Sequence, residues 1–340
     1  MNPKVKVAVV ILNWNGKKLL EQYLPSVVKY SLGCDVIVAD NGSTDDSIEF
    51  IKQNFFTVKV IKLDKNYGFT GGYNRALAMI DADYFVLLND DVEVTKGWIN
   101  PVIRLMQQDE NIAICQPKLL SYNDKSRFEY AGAAGGYIDY LGYPFCAGRI
   151  FEHLEQDKGQ YDTIREIFWA TGAAMFVKSS VFKELGGLDE RFFAHMEEID
   201  FCWRAKNVGY KVMYCPESKV YHYGGGTLNK LSPRKTFLNF RNNLLLLYKN
   251  LPDKELKNVM RKRKYLDLLA AFMFRITSSK AEYNAVLEAR KEFLAIKNDF
   301  NNDRNPNITT YPTQVYRRSL VINSKLFGKN TFNKIAKHIK

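Results

Sequence analysis

Tyr84-Phe-Val-Leu-Leu-Asn-Asp-Asp-Val-Glu-Val94 decides the fold. Five apolar residues run without a break, which predicts a strand covered on both faces. The run stops abruptly at Asn89, Asp90 and Asp91 and resumes at Val92 and Val94. Two adjacent carboxylates at the end of a buried strand are costly to desolvate unless something positive meets them. In an open α/β sheet, ligands bind beyond the carboxyl ends of the strands. A divalent cation carrying a phosphate satisfies both conditions; a solvated Asn-Asp-Asp turn is the plainer alternative.

Upstream, the same grammar repeats. Val5 to Leu12 is β-branched and stops at Asn13-Trp-Asn-Gly16, and Lys17 to Tyr30 has helical apolar spacing. Cys34 to Ala39 is a second strand, ending in Asp40-Asn-Gly-Ser-Thr-Asp-Asp46, where Ser43 or Thr44 is expected to cap the next helix. Val58 to Leu63 is a third strand, followed by the glycine-rich Asn66 to Arg75 and a helix through Ile80. Strands alternating with helices at this spacing predict parallel βαβ units with polar residues at every strand end. No GxGxxG follows the first strand and no GxxxxGK[ST] occurs, which weighs against dinucleotide dehydrogenases and P-loop enzymes.

Beyond residue 95 the pattern changes. Ile112 to Leu120 reads as a strand, Ser121 to Arg149 as hairpin or loop, and Ile167 to Val177 as a strand pair broken at Thr171-Gly172. Glu197 to Lys206 is helical with Gly209 as its stop, and Lys211 to Cys215 and Lys219 to Tyr223 are two strands, the second leading into Gly224 to Gly226. From Pro233 onward the chain is helical and basic.

The net charge of +12 is uneven, since residues 230–340 hold 24 Lys/Arg against 8 Asp/Glu. This basic region implies an anionic partner. Either its helices meet an anionic membrane surface, or they cap the rest of the chain or form a homodimer contact. The five scattered cysteines have no CxxC pairing and suggest free thiols in a reducing compartment. With no signal-peptide layout and no apolar run long enough to span a bilayer, a cytoplasmic protein is expected, at most peripheral on the inner face of the plasma membrane.

Taken together and in order, Val9-Val-Ile-Leu-Asn-Trp-Asn-Gly16, Val38-Ala-Asp-Asn-Gly-Ser-Thr-Asp45, Asn66-Tyr-Gly-Phe-Thr-Gly-Gly-Tyr-Asn74, Leu87-Leu-Asn-Asp-Asp91, Ala170-Thr-Gly-Ala-Ala-Met-Phe176, Glu197-Glu-Ile-Asp-Phe-Cys-Trp-Arg204 and Tyr221-His-Tyr-Gly-Gly-Gly226 closely resemble family 2 glycosyltransferases of the rhamnosyltransferase-like branch. The resemblance covers about residues 5–230. It implies the GT-A fold, an α/β architecture with a Rossmann-like, mostly parallel sheet flanked by helices, here followed by a basic helical C-terminal extension. The implied organisation is a nucleotide-binding half at about 1–95, an acceptor-binding half at about 96–230, and a C-terminal region at 231–340. The implied activity is inverting transfer of a sugar, rhamnose first, from a nucleoside-diphosphate-sugar to a saccharide or lipid-linked saccharide in bacterial surface polysaccharide assembly.

The resemblance also implies roles. Asp91 ligates Mn²⁺ or Mg²⁺, His222 either completes that shell or is structural, and Asp90 faces the ribose or supports the site. Asp40 meets the pyrimidine edge, with Asn41 and Gly42 in the same turn. Asn13 and Asn15 bind donor or simply form the turn, and Gly71 and Asn74 lie near the nucleotide. Glu198 or Glu197 is the general base. Asp200 lines the acceptor pocket or pairs with Arg204 four residues on. Thr171 and Gly172 line the sugar pocket, Trp169 lines it or belongs to the core, and His195 faces the acceptor. Asn89 departs from the usual acidic first position of the metal motif. Two rivals remain on sequence grounds: a sugar-phosphate nucleotidyltransferase, and a basic nucleic-acid-binding protein without catalysis, for which no nucleic-acid module appears.

Overall fold

The computed structural model describes residues 5–224 and 232–340. Its first half alternates strand and helix: β1 (Val7–Asn13), α1 (Lys17–Tyr30), β2 (Asp35–Asp40), α2 (Ser47–Asn54), β3 (Lys59–Lys62), α3 (Gly68–Ala78) and β4 (Tyr84–Asn89). A short return strand, β5 (Val92–Val94), leads to α4 (Asn100–Gln108) and the long β6 (Ile112–Ser121). Small strands follow: β7 (Gly136–Asp139), β8 (Pro144–Cys146), β9 (Arg149–Ile150), β10 (His153–Leu154) and β11 (Arg165–Glu166). Then come β12 (Ala174–Lys178), α5 (Ser179–Glu184), α6 (Glu197–Asn207) and β13 (Lys211–His222). The C-terminal part holds α7 (Pro233–Asn250), α8 (Asp253–Thr277), α9 (Lys280–Ile296), β14 (Val315–Tyr316) and α10 (Leu320–Lys325).

The main sheet runs β11-β13-β6-β12-β4-β1-β2-β3, with β5 also paired to β13. β4 lies inside it, and its side chains alternate between two cores, Phe85 and Leu87 on one face and Tyr84, Val86 and Leu88 on the other. Burial of each such side chain stabilises the fold by about 1.5–3 kcal/mol, so a charge at Leu87 would break the centre of the sheet. β3, β2, β1 and β4 are parallel, but β12 is antiparallel to both β4 and β6. β6 and β13 are parallel too, so the sheet is mixed, its antiparallel pairs all involving β5, β11 or β12.

Three local expectations are corrected. Of Ile167 to Val177, only the part from Ala174 is strand; before it, the amides of Ile167 and Phe168 bond to Val212 and Gly136 carbonyls, and Thr171 N–H bonds to the Gln116 side chain. The two strands expected at 211–223 are one, β13, with an irregular register between Cys215 and Lys219, where Pro216 cannot donate to the ladder. Neither Ser43 nor Thr44 caps α2: the Asp45 carboxylate accepts from Ser47 N–H instead, at 3.2 Å.

A second sheet runs β10-β9-β8-β7-β14. Its last strand comes from the C-terminal part and lies parallel to β7, Val315 opposite Ile138. Leu244–Leu247 of α7 join the same apolar core as Phe145 and Tyr316. Gly225, Gly226 and the expected boundary at 230/231 lie outside the described residues. Cys115, Cys146, Cys202 and Cys215 are buried free thiols. Among the described residues no helix is long and apolar enough to cross a membrane.

Candidate active site

The order of the parallel strands reverses at β1, which has β2 on one side and β4 on the other, and the crevice of an open α/β sheet forms at such a point. The register puts Asn13 opposite Asp40 and Leu12 opposite Asn89, so the strands end level. Asn13 Nδ2 donates to Asp40 Oδ1 and to Ser43 Oγ, both at 3.0 Å, and Asp40 Oδ2 accepts from Ser43 N–H at 3.1 Å. Asn13 and Asp40 are both fully buried, and Asn13 Oδ1 has no hydrogen-bond partner among the described residues.

Two further asparagines stitch neighbouring loops together. Asn15, in the left-handed region at φ 53°, accepts through Oδ1 from Thr44 and Asp45 N–H at 2.7 and 3.3 Å. Asn41 donates to Asn66 Oδ1 and Gly68 O and accepts from Tyr67 N–H, all near 3 Å. Gly42 sits at φ +74°, and a Cβ there would lie 2.6 Å from the Lys65 backbone. The amides of Asn15 and Asn41 are thus engaged within the protein, holding the loops after β1, β2 and β3 as one unit.

After β4 the chain turns at Asp90 and Asp91 so that β5 can pair antiparallel with the end of β13, Val92 opposite His222. That pairing brings His222 Nε2 to 3.0 Å from Asp91 Oδ1. On the other side, His222 Nδ1 lies 3.3 Å from Glu129 Oε1. Burial opposes a charge on His222, but Glu129 and Asp91 overcome it and raise the imidazole to about 10. Burial, with Asp91 adding repulsion, raises the Asp90 carboxyl to about 7. Gly16 leaves the space beside them open, since a Cβ there would fall 2.5 Å from Asp90 Oδ2 and 2.6 Å from Asn13 Oδ1. A cleft of about 610 Å³ adjoins it, lined by residues that include Asn15, Gly16, Lys17, Asp45 and Tyr223.

The donor set at Asp91 and His222, a carboxylate oxygen and an imidazole nitrogen that gives up its proton on binding, would suit a divalent cation that takes its remaining ligands from phosphate and water. Imidazole suits Mn²⁺ better than Mg²⁺, which prefers oxygen alone. Among the described residues no group of three or more His, Cys, Asp or Glu side chains converges to hold a metal unaided.

The acid pair Glu197–Glu198 opens α6 immediately after a strained run in which Phe193, His195 and Met196 all have φ between 65° and 74°. Non-glycine residues there cost of order 1–3 kcal/mol each and need the surroundings to hold them. Burial and the neighbouring Glu198 push Glu197 well up, and burial pushes Glu198 up. Glu197 is buried, whereas Glu198 is partly accessible. His195 is kept neutral, lowered to about 4 by burial and then by Lys235, and its Nε2 has no hydrogen-bond partner among the described residues.

The family model "Glycosyl transferase family 2" matches residues 8–186, more than half of the chain. The chain belongs to this family. It is 26% identical over 232 residues to the N-acetylglucosaminyl-diphospho-decaprenol L-rhamnosyltransferase of Mycobacterium tuberculosis, an overlap of 63% of this chain and 75% of that one. Among solved structures it is similar to the S. aureus TarS 1-349 complex with UDP-GlcNAc, with a TM-score of 0.58, 14% identity, and coverage of 85% of this chain and 81% of that one. It is also similar to GalNAc-T7 with UDP, GalNAc and Mn²⁺, with a TM-score of 0.58 and 16% identity; 86% of this chain is covered but only 55% of that one. The fold is GT-A, and the protein is a glycosyltransferase.

Several expected site residues of this glycosyltransferase turn out to be internal. Asp200 is fully buried, accepting from Arg204 Nε at 2.8 Å, Lys249 Nζ at 3.0 Å and Asn250 Nδ2 at 2.9 Å, which leaves it no acceptor surface to line. Trp169 is core: its Nε1 donates to Tyr137 O at 2.9 Å and its ring lies over Gly136. Asn74 is engaged with the Leu188 peptide through both amide atoms, at 2.7 and 2.9 Å. Gly71 packs against Tyr67, Arg75 and Glu190. Thr171 and Gly172 are buried beside the end of β4, where Asn89 N–H bonds to Ala173 O.

Sequence reasoning missed Glu129, Gly16 as more than a turn residue, and Asn242. The Asn242 Nδ2 group donates to the carbonyls of Phe192, Ala194 and His195 at 2.8–2.9 Å, gripping the strained run from α7. The available signal was the polar Arg241-Asn242-Asn243 set into the leucine-rich stretch of that helix.

Proposed function

We propose that this glycosyltransferase is an inverting, divalent-metal-dependent enzyme that moves a sugar from a nucleoside-diphosphate donor to a saccharide hydroxyl. The observation that carries the reading is the meeting of Asp91 and His222 at the carboxyl end of β4, in the crevice where the strand order reverses. When bound, the cation stabilises the charge on the departing diphosphate. Asp91 and His222 would hold it, and Asp90 would face the ribose beside the space that Gly16 leaves open. Asp40 and Asn13 form the floor against which a pyrimidine edge is read, Asn13 Oδ1 being the acceptor left open for an N–H donor.

Residues up to about 95 take the donor and those to about 230 the acceptor. Glu198 accepts the proton of the acceptor hydroxyl as its oxygen bonds to the anomeric carbon and the bond from that carbon to the diphosphate oxygen breaks. One displacement inverts the configuration. Its partial accessibility favours Glu198 over the buried Glu197. His195, neutral, orients the acceptor. Rhamnose, the sugar in the mycobacterial relative's name, is the first choice, carried on deoxythymidine diphosphate, and UDP-sugars come second. That name also points to a diphosphate-lipid-linked saccharide acceptor, as in cell-envelope polysaccharide assembly.

The test is a thermal-shift screen of nucleotide-sugars with and without Mn²⁺, followed by transfer to a saccharide acceptor. One donor should stabilise the protein only with metal. Full transfer activity in both Asp91→Ala and Glu198→Gln would overturn the mechanism.

A further inference from the structure

The C-terminal helices leave one apolar face uncovered. On α8, Tyr265, Leu268, Leu269, Phe272, Met273 and Ile276 follow helical spacing along a single side, and Tyr265, Phe272 and Ile276 are 66%, 58% and 65% exposed. Val259, Arg263, Asp267 and Ala271 are buried on the opposite side. The helix cannot roll to hide its apolar stripe. Arg263 Nη1 donates to Leu141 O at 2.8 Å, and Asp267 accepts from Arg290 Nη1 at 2.6 Å and from Arg263 Nε at 3.1 Å. Turning α8 would pull Arg263 away from the Leu141 carbonyl and Asp267 away from Arg290, leaving buried charges short of partners.

The exposed charges on α8 from Lys257 to its end are all of one sign. Arg261, Lys262 and Lys264 precede or flank the stripe, Arg275 lies within its last turns, and all four are exposed. Among the described residues the ion pairs of α7 to α9 include Arg241–Glu292, Lys249–Asp200, Arg263–Asp267, Arg290–Asp267 and Arg304–Asp253, and none involves those four. A second copy of the chain across a two-fold axis would set this like-charged rim against itself. An anionic lipid surface instead takes the apolar stripe into its acyl boundary and the basic side chains at its headgroups.

We propose that the outward face of α8 docks this enzyme on an anionic membrane surface. α8 packs on α7 through Phe240 and Phe274, and α7 carries the Asn242 that grips the loop ahead of Glu197 and Glu198. Docking therefore anchors the helices that support the acceptor half. The inference goes beyond the transfer reading and is read out without donor or acceptor, so the two fail separately.

The experiment is sedimentation of the full chain with vesicles of phosphatidylcholine alone or mixed with phosphatidylglycerol. Binding is expected to the mixed vesicles only, weakening with salt. Leu269→Glu combined with Phe272→Glu should abolish it. Arg261→Gln, Lys262→Gln and Lys264→Gln together should weaken it by roughly fivefold per charge while leaving the unfolding temperature unchanged. Equal binding to neutral vesicles, no binding to either, or binding indifferent to the glutamine variant would overturn the proposal. So would a wild-type dimer that ignores vesicles and is split by the double glutamate variant.

Discussion

The two halves of the candidate site are held in different ways. On the donor side, the loops after β1, β2 and β3 are tied to one another by their own asparagines, Asn13, Asn15 and Asn41. On the acceptor side, the loop before α6 carries three left-handed residues and is held from outside, by Asn242 of α7 on its carbonyls. Lys249 of the same helix joins Asp189 and Asp200 on either side of that loop, at 2.7 and 3.0 Å. The proposed donor loops are thus held by local sequence, whereas the placement of the proposed base rests on the C-terminal helices. Damage to one half should leave the signature of the other intact.

The largest effect is expected where the halves meet. Asp91→Ala should lower transfer by at least about 10³-fold and remove the Mn²⁺-dependent thermal shift of the donor complex, because the charge on the leaving diphosphate loses its counter-charge. Retention of the metal-dependent shift would separate Asp91 from metal binding. Next, Glu198→Gln should lower kcat by about 10²–10⁴-fold while leaving the donor-induced thermal shift in place. The sign of its pH dependence follows from burial. The base works ionised and burial raises its carboxyl, so kcat/KM should fall as pH drops through a value above the ordinary glutamate range, and that limb should vanish in the variant. A larger loss in Glu197→Gln than in Glu198→Gln would exchange the two roles.

Asn242→Ala tests the comparison directly. The substitution removes a buried donor shared by three carbonyls, which should destabilise the protein by about 1–3 kcal/mol. Transfer should slow by roughly tenfold as the strained loop relaxes and the base moves out of position, with affinity for donor unchanged. A raised donor Kd at unchanged kcat would break the separation of the halves.

This division also governs what could be read from the sequence. Alternating apolar runs ending in polar residues give β1 to β4, and parallel register then sets Asn13, Asp40 and Asn89 side by side with no further information. The Asp91–His222 contact needed more, since it depends on β5 folding back onto β13; the resemblance supplied His222, and periodicity alone would not have. Glu129 has no such signal, because it belongs to the loop between β6 and β7 and reaches His222 only after the sheet has formed. Asp200 looked like a pocket acid because its partners Lys249 and Asn250 lie 49 and 50 residues away, where no local pattern points. Trp169 is similar: its burial follows from the close approach of Gly136, which spacing cannot reveal.

The smallest expected effect is at Asn15, on the donor side, where two contributions can be separated. Its side chain accepts from Thr44 and Asp45 N–H, and its backbone is left-handed. Asn15→Gly keeps the backbone conformation and loses the acceptor, so it should destabilise by about 1 kcal/mol. Asn15→Ala loses the same acceptor and keeps a Cβ in a left-handed region that alanine tolerates less well than asparagine, so it should be about 1 kcal/mol less stable than the glycine variant. Because this loop is tied to its neighbours and not to α7, both variants should raise the donor KM a few-fold and leave kcat alone, with alanine the worse of the two. Equal unfolding temperatures for glycine and alanine would mean that the loop relaxes out of its left-handed turn, and a fall in kcat would mean that the donor loops and the base loop are coupled after all.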